Sequence, residues 1–346
     1  MADINCHSEM TNFHSDNVTL SKKQQDDMRS RRNNGRTRLE NGLNEAKKKQ
    51  PKLICSQGSY QMRTMVQDSE NDYDIDDGAY FASDDLKDDI GNALTPQAAR
   101  QRVCDALAWD GRFKQEATVK RNCVRQVYAV GYHIDVPVYR IVTAKDENEK
   151  LVEHYELASG DEWTRSDARA VTRWFNGHVG ELNAGESDGS QMRRVTKLTK
   201  KFARRAGWKD KTTSGICISK LVVDHFKYSA DRDDKALRQT WQAINAKLKT
   251  SAEIDHPVLD TKLTSDGDEQ VVFFRDCLSD ALDTLEVLDT ADCKRADAGD
   301  AWDKVFVTTY FTDQPDKDDD KAAKAAVIKV TSTLPARRND GGGRFG

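Results

Sequence analysis

A run of ten residues in which acidic side chains alternate with nonpolar ones limits most strongly what this chain can fold into. The sequence DYDIDDGAYF covers residues 72–81, and its alternation has the two-residue period of a β-strand. On such a strand Asp74 and Asp76 point to one face and Ile75 to the other. Two adjacent carboxylates repel each other unless a cation or a proton lies between them. We therefore expect a strand with one buried face and one face that binds a ligand.

Paired carboxylates are typical of Mg²⁺ sites, because this ion takes one or two carboxylates and completes its shell with water and substrate phosphates. A calcium loop is the alternative, since Asp72, Asp74 and Asp76 have the spacing of its first three ligands. The sixth loop position is Asp77 rather than glycine, however, and the twelfth is Ser83 rather than glutamate. The sequence favours magnesium, and acids exposed on a strand edge remain the purely structural alternative.

Two other short motifs fit a site for phosphate chemistry. KLICSQGSY predicts a strand that runs into a turn, where Gly58 permits close backbone approach and the Ser59 hydroxyl can bind phosphate oxygens. HIDVPVYRI places Asp135 on a nonpolar strand, where a lone charge is costly unless it is paired or metal-bound. A two-metal nucleotidyl transfer site needs such a third carboxylate. An edge-strand aspartate that faces water is the alternative for Asp135.

The secondary structure that the sequence predicts changes near residue 160. The first part predicts a long charged helix over residues 20–49, a helix capped by Thr95 and several strands, whereas the second part is mostly helical. We expect a flexible N-terminus at 1–18, a catalytic lobe with the long helix at 19–160, a helical nucleotide-binding lobe at 161–334 and a flexible tail at 335–346.

Composition excludes several classes of protein. The chain has 346 residues and a net charge of -4, which argues against a protein that binds nucleic acid over its whole surface. Its seven cysteines show no CxxC spacing, which argues against a disulfide framework and a structural zinc site. No nonpolar stretch is long enough to cross a bilayer, and the N-terminus lacks a signal core. We expect a cytoplasmic protein.

Taken in order, QGSYQMRTM, DYDIDDGAYF and HIDVPVY resemble the nucleotidyltransferase superfamily of DNA polymerase beta and poly(A) polymerase. More closely, they resemble the bacterial cyclic-oligonucleotide synthases, the CD-NTases, and in particular the cyclic GMP-AMP synthase branch. These enzymes are relatives of animal cGAS and oligoadenylate synthase. The resemblance implies an α+β fold, with a polymerase-beta-like nucleotidyltransferase lobe built on a mixed sheet and a helical C-terminal lobe.

The resemblance also implies roles for individual residues. Asp74 and Asp76 are similar to the ligands of two Mg²⁺ ions, which Mn²⁺ can replace, and Asp135 is similar to the acid that completes the catalytic metal site. A second set of residues matches positions that bind the phosphates or lie near the donor nucleotide: Gln57, Gly58, Ser59, Lys197, Lys200 and Ser214.

The activity implied by the resemblance is the joining of two nucleoside triphosphates, ATP and GTP, into a cyclic dinucleotide with release of pyrophosphate. The product would be a second messenger in antiphage (CBASS) defence and would be read by a downstream effector. No His/Cys cluster matches the zinc loop with which animal relatives engage double-stranded DNA, so we do not expect double-stranded DNA as a partner. The absence of a long nonpolar stretch likewise argues against a membrane as a partner.

The tail RRNDGGGRFG ends in Gly346. Some synthases of this family end in a glycine that a partner resembling the ubiquitin-activating and conjugating enzymes joins to a target amine, so the resemblance implies conjugation at Gly346. Two other classes of function remain open. One is a nucleotidyltransferase that modifies RNA or protein, and the other is a nucleotide-binding regulator without catalysis.

Overall fold

The computed structural model is organised around β2 (Tyr73–Ala82), a strand of ten residues in the middle of an eight-stranded mixed sheet. The structure describes residues 4–68, 73–109, 116–128, 131–145, 147–182, 190–208 and 210–314. Contacts within the chain divide it into two compact units, residues 5–283 and residues 1–4 with 284–346. The sheet lies in the larger unit.

The other strands of this sheet are β1 (Leu53–Gln57), β3 (Thr118–Val119), β4 (Val124–Val127), β5 (Tyr132–Val136), β6 (Val138–Lys145), β7 (Leu151–Ser159) and β8 (Glu162–Arg165). Their order is β3-β4-β5-β2-β6-β7-β8, and β1 pairs antiparallel with β2. The first half of β2 runs parallel to β5 and its second half runs parallel to β6, so β2 has neighbours along its whole length.

The helices of the larger unit are α1 (His7–Phe13), α2 (Lys22–Glu45), α3 (Gly58–Gln61), α4 (Pro96–Ala108), α5 (Ala168–Leu182), α6 (Ser190–Ala203), α7 (Gly215–His225), α8 (Asp233–Thr250) and α9 (Glu269–Thr284), the last ending at the unit boundary. A small two-stranded sheet joins β9 (Ile254–Asp255) to β10 (Lys262–Thr264). The α+β class, the mixed sheet and the helical second half of the chain, all predicted from the sequence, are confirmed.

Two helices cover one face of the sheet and close the core. The nonpolar side of β2, which includes Ile75 and Phe81, packs in one cluster with Leu39 of α2 and Val103 of α4. The two helices meet closely at Gly42, where an added Cβ would lie 1.9 Å from the backbone oxygen of Ala106. Because only glycine leaves room for this contact, the sequence of α2 fixes how near the helices can approach.

Both of these helices begin where the sequence provides a cap. Ser21 and Gln24 form a capping box at the start of α2, each side chain bonding to the backbone N–H of the other. Thr95 accepts the Ala98 N–H at the start of α4, where Pro96 occupies the first turn.

The N-terminal residues differ from the expectation of a flexible segment over residues 1–18. From His7 the chain forms α1 and then a π-helical turn, His14–Val18. Met10 and Phe13 are buried, and the Cys6 N–H donates to the Asp234 carboxylate at 2.9 Å. The buried side chains and this hydrogen bond hold the segment in an ordered conformation, although its polar composition alone had suggested a flexible one.

The smaller unit holds a 3-10 turn, Leu285–Asp289, and α10 (Arg295–Phe306). Its nonpolar centre is Trp302 packed with Phe306 and Phe311. The predicted tail at 335–346 lies outside the described residues, and the predicted division into two lobes stays a prediction. All seven cysteines are free thiols. In the described ranges, no helix combines the length and hydrophobicity that a membrane span requires.

Candidate active site

Three carboxylates meet on two neighbouring strands. Asp74 and Asp76 lie two residues apart on β2, and the parallel register places Asp76 opposite Asp135 of β5 and Asp74 opposite His133. Adjacent strands are about 4.8 Å apart, so this register brings the side chains of opposite residues close together. The two sequence motifs that carry these aspartates are therefore neighbours in the fold.

The Asp76 carboxyl lies close to two other carboxylates. Burial, followed by the nearby charges of Asp74 and Asp135, raises the pKa of Asp76 to about 8. Arg125 opposes this rise without cancelling it. A buried carboxylate with two like charges nearby is stabilised by a cation, so this position fits a metal ligand.

Asp135 is engaged by an arginine of the next strand. Arg125 of β4 lies directly opposite Asp135 in the antiparallel register. Its Nε donates to Asp135 Oδ1 at 2.8 Å and its Nη2 donates to Oδ2 at 2.7 Å. This bidentate pair occupies both oxygen atoms of Asp135. In the part of the chain that the structure describes, no group of three His, Cys, Asp or Glu side chains is arranged to hold a metal ion.

The turn after β1 is built against the same carboxylates. Gln57 is opposite Asp76 in the antiparallel register, and Gly58 follows with φ of 62°. A Cβ at Gly58 would lie 2.3 Å from the Asp76 Oδ2. Both the left-handed backbone and this contact require glycine here, as the sequence motif suggested. The turn continues as the short helix α3, which includes Ser59.

Both polar atoms of the Gln57 side chain form hydrogen bonds within the protein. Its Nε2 donates to the Tyr139 hydroxyl at 3.0 Å, and its Oε1 accepts from the Tyr80 hydroxyl at 3.0 Å. The rings of Tyr80 and Tyr139 stack with centroids 4.4 Å apart. Gln57 thus holds the turn against the sheet through two buried hydrogen bonds. The sequence predicted a phosphate contact for Gln57 and did not predict this structural role.

A cavity of about 450 Å³, here called the mixed-charge cavity, lies beside Asp74. Its wall is formed by the region of the sheet and by the helical second half of the chain. The lining residues are Asp68, Asp74, Arg125, His133, Lys200, Ala203, Arg204, Asp210, Thr212, Thr213, Ser214, Gly215, Ile218 and Gln270. Of the residues predicted from the sequence, Asp74, Lys200 and Ser214 line it. Asp76 and Asp135 do not line it, whereas Arg125, which donates to Asp135, does.

The helical side of this cavity carries groups suited to an anion. Ser214 caps α7, its Oγ accepting the Cys217 N–H at 3.4 Å, so the positive end of the α7 dipole is at the cavity wall. Lys200 of α6 is buried, and its Nζ donates to the Thr64 Oγ1 at 2.8 Å. Burial and then Arg204 lower the pKa of Lys200 to about 7, while Asp74 partly opposes the shift. A bound phosphate would favour the charged amine.

Lys197 is placed differently from Lys200, although both were predicted to bind the triphosphate. Lys197 Nζ donates to the Thr19 Oγ1 at 2.5 Å and lines a second cavity rather than the mixed-charge cavity. Burial and then Arg193 lower the pKa of Lys197 to about 8. The structure therefore does not bring Lys197 together with the carboxylates.

Arg125 and His133 were not singled out from the sequence. VRQV and YHIDV show that both lie on strands, but only the strand register places Arg125 on Asp135 and His133 opposite Asp74. The alternation in VRQV was a signal that one strand face is polar. It did not indicate which strand would be its neighbour.

The donor set fits a hard divalent cation such as Mg²⁺. Asp74 and Asp76 supply oxygen ligands from one strand face, and the raised pKa of Asp76 marks a carboxyl that lacks sufficient positive charge nearby. Both oxygen atoms of Asp135 accept from Arg125, so the part of Asp135 in a metal site stays a prediction. The paired aspartates, together with the Lys200 amine and the N-terminus of α7 across the cavity, suit chemistry on a nucleoside triphosphate.

Comparison with a family model matches this region. Residues 52–139 match the model described as "Cyclic GMP-AMP synthase DncV-like, nucleotidyltransferase domain". The matched range contains the Gly58 turn and all three aspartates, and it ends within β6.

Solved structures of bacterial enzymes have the same fold over nearly the whole chain. Escherichia coli DncV in its 3'-deoxy GTP bound form is 17% identical, with a TM-score of 0.68 over 89% of this chain and 97% of that chain. Vibrio cholerae DncV in complex with the linear intermediate 5' pppA(3',5')pG is 17% identical, with a TM-score of 0.68 over 88% and 96%. Bradyrhizobium diazoefficiens CdnG in complex with GTP is 14% identical, with a TM-score of 0.67 over 88% and 96%.

Proposed function

Since the chain is a nucleotidyltransferase with a DncV-like catalytic domain and the fold of the bacterial CD-NTases, we propose that it joins two nucleoside triphosphates into a cyclic dinucleotide. The observation that carries this proposal is the pair Asp74 and Asp76 on one face of β2, set against the Gly58 turn, with Asp74 lining a cavity whose other wall holds Lys200. One wall suits a metal ion, and the other suits phosphate oxygens. The proposed substrates are ATP and GTP, the two nucleotides bound in a structure of a Vibrio cholerae DncV mutant.

In the proposed reaction, a ribose hydroxyl of one nucleotide attacks the α-phosphorus of the other. The new oxygen–phosphorus bond forms as the bond between the α-phosphorus and pyrophosphate breaks, and the proton of the attacking hydroxyl passes to water. Mg²⁺, held by Asp74, Asp76 and Asp135, would neutralise phosphate charge and polarise the reacting oxygens. A second round of the same reaction closes the ring and releases a second pyrophosphate.

The chain's own residues bind and orient the donor nucleotide. Lys200 gives the triphosphate a cationic partner in a buried setting, where a charge-assisted bond is strong. The N–H groups at the start of α7, together with Ser214, offer neutral donors to the same anion. The Gly58 turn lets the backbone approach close to the β2 carboxylates, so phosphate and metal would be held side by side.

The test is product analysis with the purified full-length chain. Each pair of nucleoside triphosphates would be incubated with Mg²⁺, treated with nuclease and phosphatase, and analysed by mass spectrometry. A nuclease-resistant cyclic dinucleotide supports the proposal. Nucleotides transferred only to added RNA or to protein would support the alternative transferase, and nucleotide binding without pyrophosphate release would support a silent regulator.

We further propose that the product is a second messenger in CBASS defence, formed in the cytoplasm and sensed by an effector. Conjugation at Gly346 by a partner resembling ubiquitin-conjugating enzymes belongs to this proposal, and Gly346 lies outside the described residues. Gly346→Glu is expected to leave synthase activity unchanged and to prevent conjugation in cells that carry the partner. Conjugates that persist in this variant would contradict it.

A further inference from the structure

Two buried tyrosines share a sheet face with the candidate metal ligands. Side chains two residues apart on a strand point to the same side, so Asp76, Gly78 and Tyr80 of β2 face together. Tyr80 lies opposite Tyr139 of β6 in the parallel register, and the planes of the two stacked rings differ by 5°. Both tyrosines are buried. A buried phenol hydroxyl is unfavourable without a hydrogen-bond partner, so each of the two must bond to a neighbouring group.

The partner that both hydroxyls share is the Gln57 amide. The Tyr80 hydroxyl donates to Gln57 Oε1, and the Tyr139 hydroxyl accepts from Gln57 Nε2, each at 3.0 Å. Gln57 is 5% exposed, so almost none of its side chain is open to a ligand. Both polar atoms of the amide are therefore committed to the protein. Gln57, Tyr80 and Tyr139 are together called the amide clamp.

The backbone of β2 leaves room for the amide clamp at Gly78. A Cβ added there would lie 2.8 Å from Gln57 Oε1 and 3.1 Å from Cε2 of Tyr139. Glycine weakens a strand, because it has no side chain to pack and loses more conformational freedom on folding. Its presence at position 78, on the face that carries Asp76, indicates that the close approach of the amide and the rings is needed there.

The amide clamp holds the chain at the point where the turn begins. Gln57 is the last residue of β1, and Gly58 follows with left-handed backbone. A Cβ at Gly58 would meet Asp76 Oδ2, so the turn and the candidate metal ligand are in close contact. A side chain that is bonded at both polar atoms leaves its own backbone little freedom to move. The two phenol hydroxyls therefore set the distance between the turn and Asp76.

Tyr139 is itself held by the segment that leads into α5. Its hydroxyl also forms a hydrogen bond with the Ser166 side chain. The Ser166 backbone N–H donates to the Tyr155 carbonyl of β7 at 3.0 Å. The next residue, Asp167, accepts the Ala170 N–H at the start of α5 at 2.8 Å. Tyr139 thus connects the turn after β1 to the point where the sheet passes into the helical half of the chain.

We propose that Tyr139 is a positioning residue for nucleotide binding, which acts through Gln57 on the Gly58 turn. Tyr80 holds the other side of the same amide. The turn then meets the triphosphate at a fixed distance from Asp76, and Gln57 contributes through this placement rather than through a bond of its own to phosphate. The inference rests on the proposed function, since it takes the Gly58 turn to contact the donor nucleotide.

A double-mutant cycle separates positioning from direct contact. Tyr139→Phe removes one hydroxyl and keeps the stacked ring, and Gln57→Met removes the amide with little change of shape. Calorimetry with Mg²⁺ measures the affinity of the full-length protein for the α,β-methylene analogues of ATP and GTP, which cannot be cleaved at the α-phosphate. Each single variant should weaken binding of the tighter analogue by about fivefold or more, and the double variant should lie within about twofold of the weaker single variant.

Amide hydrogen exchange in the turn is a second measurement that needs neither nucleotide nor turnover. Exchange over residues 58–64 should be faster in Tyr139→Phe than in the wild type, because the turn is then held less firmly. It should also be faster in Gly78→Ala, which forces the amide clamp to shift without removing a hydrogen-bonding group. Tyr128→Phe is the matched control, since Tyr128 is also buried and its hydroxyl donates to the Arg31 carbonyl of α2 at 3.2 Å. This control should equal the wild type in both measurements.

Several results would overturn the inference. Unchanged affinity or unchanged exchange in Tyr139→Phe would each do so, as would equal changes in Tyr128→Phe. Weaker binding in Gln57→Met alone, or additive losses in the double variant, would show that Gln57 contacts the phosphate directly. A wild type that binds neither analogue would contradict both this inference and the proposed function. A wild type that binds an analogue but forms no cyclic dinucleotide would contradict the proposed function alone.

Discussion

Asp76 and Asp77 are adjacent on β2 but point to opposite faces of the sheet, and their surroundings differ sharply. On the helix-covered face, Asp77 is 3% exposed and accepts from Arg36 at 2.5 and 2.6 Å and from the Ser56 hydroxyl at 2.8 Å. On the other face, Asp76 lies near two further carboxylates, and its pKa is raised to about 8. One acid is neutralised within the fold, and the other is not.

This difference separates a structural carboxylate from a functional one. Burying an ion is costly, and a fold offsets the cost for Asp77 with a guanidinium and a hydroxyl. For Asp76 the fold instead adds like charges, which destabilises the protein by itself. We infer that the offsetting charge for Asp76 comes from outside the chain, as expected for a metal ligand.

The largest expected effect is the loss of activity in Asp76→Asn. This variant removes one ligand charge, so product formation should fall by more than about a hundredfold, as measured by pyrophosphate release. The melting temperature should not fall, because the change relieves repulsion among the three aspartates. Asp84→Asn, at an exposed acid beyond the end of β2, is the matched control and should retain full activity. Wild-type turnover in Asp76→Asn would place the metal site elsewhere.

Asp77→Asn should show the opposite pattern, a loss of stability. Removing one partner of a buried ion pair costs about 3–5 kcal/mol, and the lower end is expected because the Arg36 side chain is 33% exposed. Urea unfolding measures this change. Arg36→Met combined with Asp77→Leu should recover part of the lost stability, since neither charge is then left unpaired. A loss below about 1 kcal/mol in Asp77→Asn would show that the pair is weakly coupled to folding.

A smaller effect is expected at Lys200. Lys200→Met should raise the KM for nucleoside triphosphate by about tenfold, because a charge-assisted bond to phosphate is lost. Lys197→Met is the matched control one turn away on α6, outside the mixed-charge cavity, and should change KM much less. Equal changes in steady-state KM would mean that both lysines contact the triphosphate, as the sequence had predicted.

The last prediction concerns the dependence of stability on pH. Unfolded Lys200 keeps its proton up to its ordinary pKa of 10.5, whereas the folded group loses it near pH 7. The unfolded state therefore binds more protons between these values, and the contribution of Lys200 to stability rises with pH across that window. Lys200→Met should raise the melting temperature most below pH 7, with the gain shrinking toward pH 10. A gain that does not vary with pH would contradict the shift.

Local patterns predicted most of the fold and the centre of the site. The period of residues 73–81 identified β2 and the shared face of Asp74 and Asp76, and the Thr95 cap identified the start of α4. The glycine requirement at Gly58 followed from its turn. These features depend on neighbours in sequence, so a single chain is sufficient to predict them. The roles of the individual site residues stay predictions until the variants are measured.

Other features depend on which elements meet in space. The pairing of Arg125 with Asp135 follows from the register of β4 on β5, and no pattern within either strand specifies it. Lys197 and Lys200 differ by one turn of the same basic helix, yet they line different cavities. The two lysines line different cavities because of how α6 packs against its neighbours, and this packing cannot be predicted from the sequence of α6 alone.

The contact of α2 with α4 at Gly42 has a consequence for how this chain can diverge from its relatives. The fold is shared with DncV at 17% identity, so most positions have changed without loss of the architecture. Position 42 offers no such freedom, since any side chain there meets the backbone oxygen of Ala106, and backbone cannot be replaced by substitution. Natural variants are expected to keep glycine at 42 or to change the crossing of the two helices, and a deep mutational scan would show position 42 as intolerant amid the tolerant surface of α2.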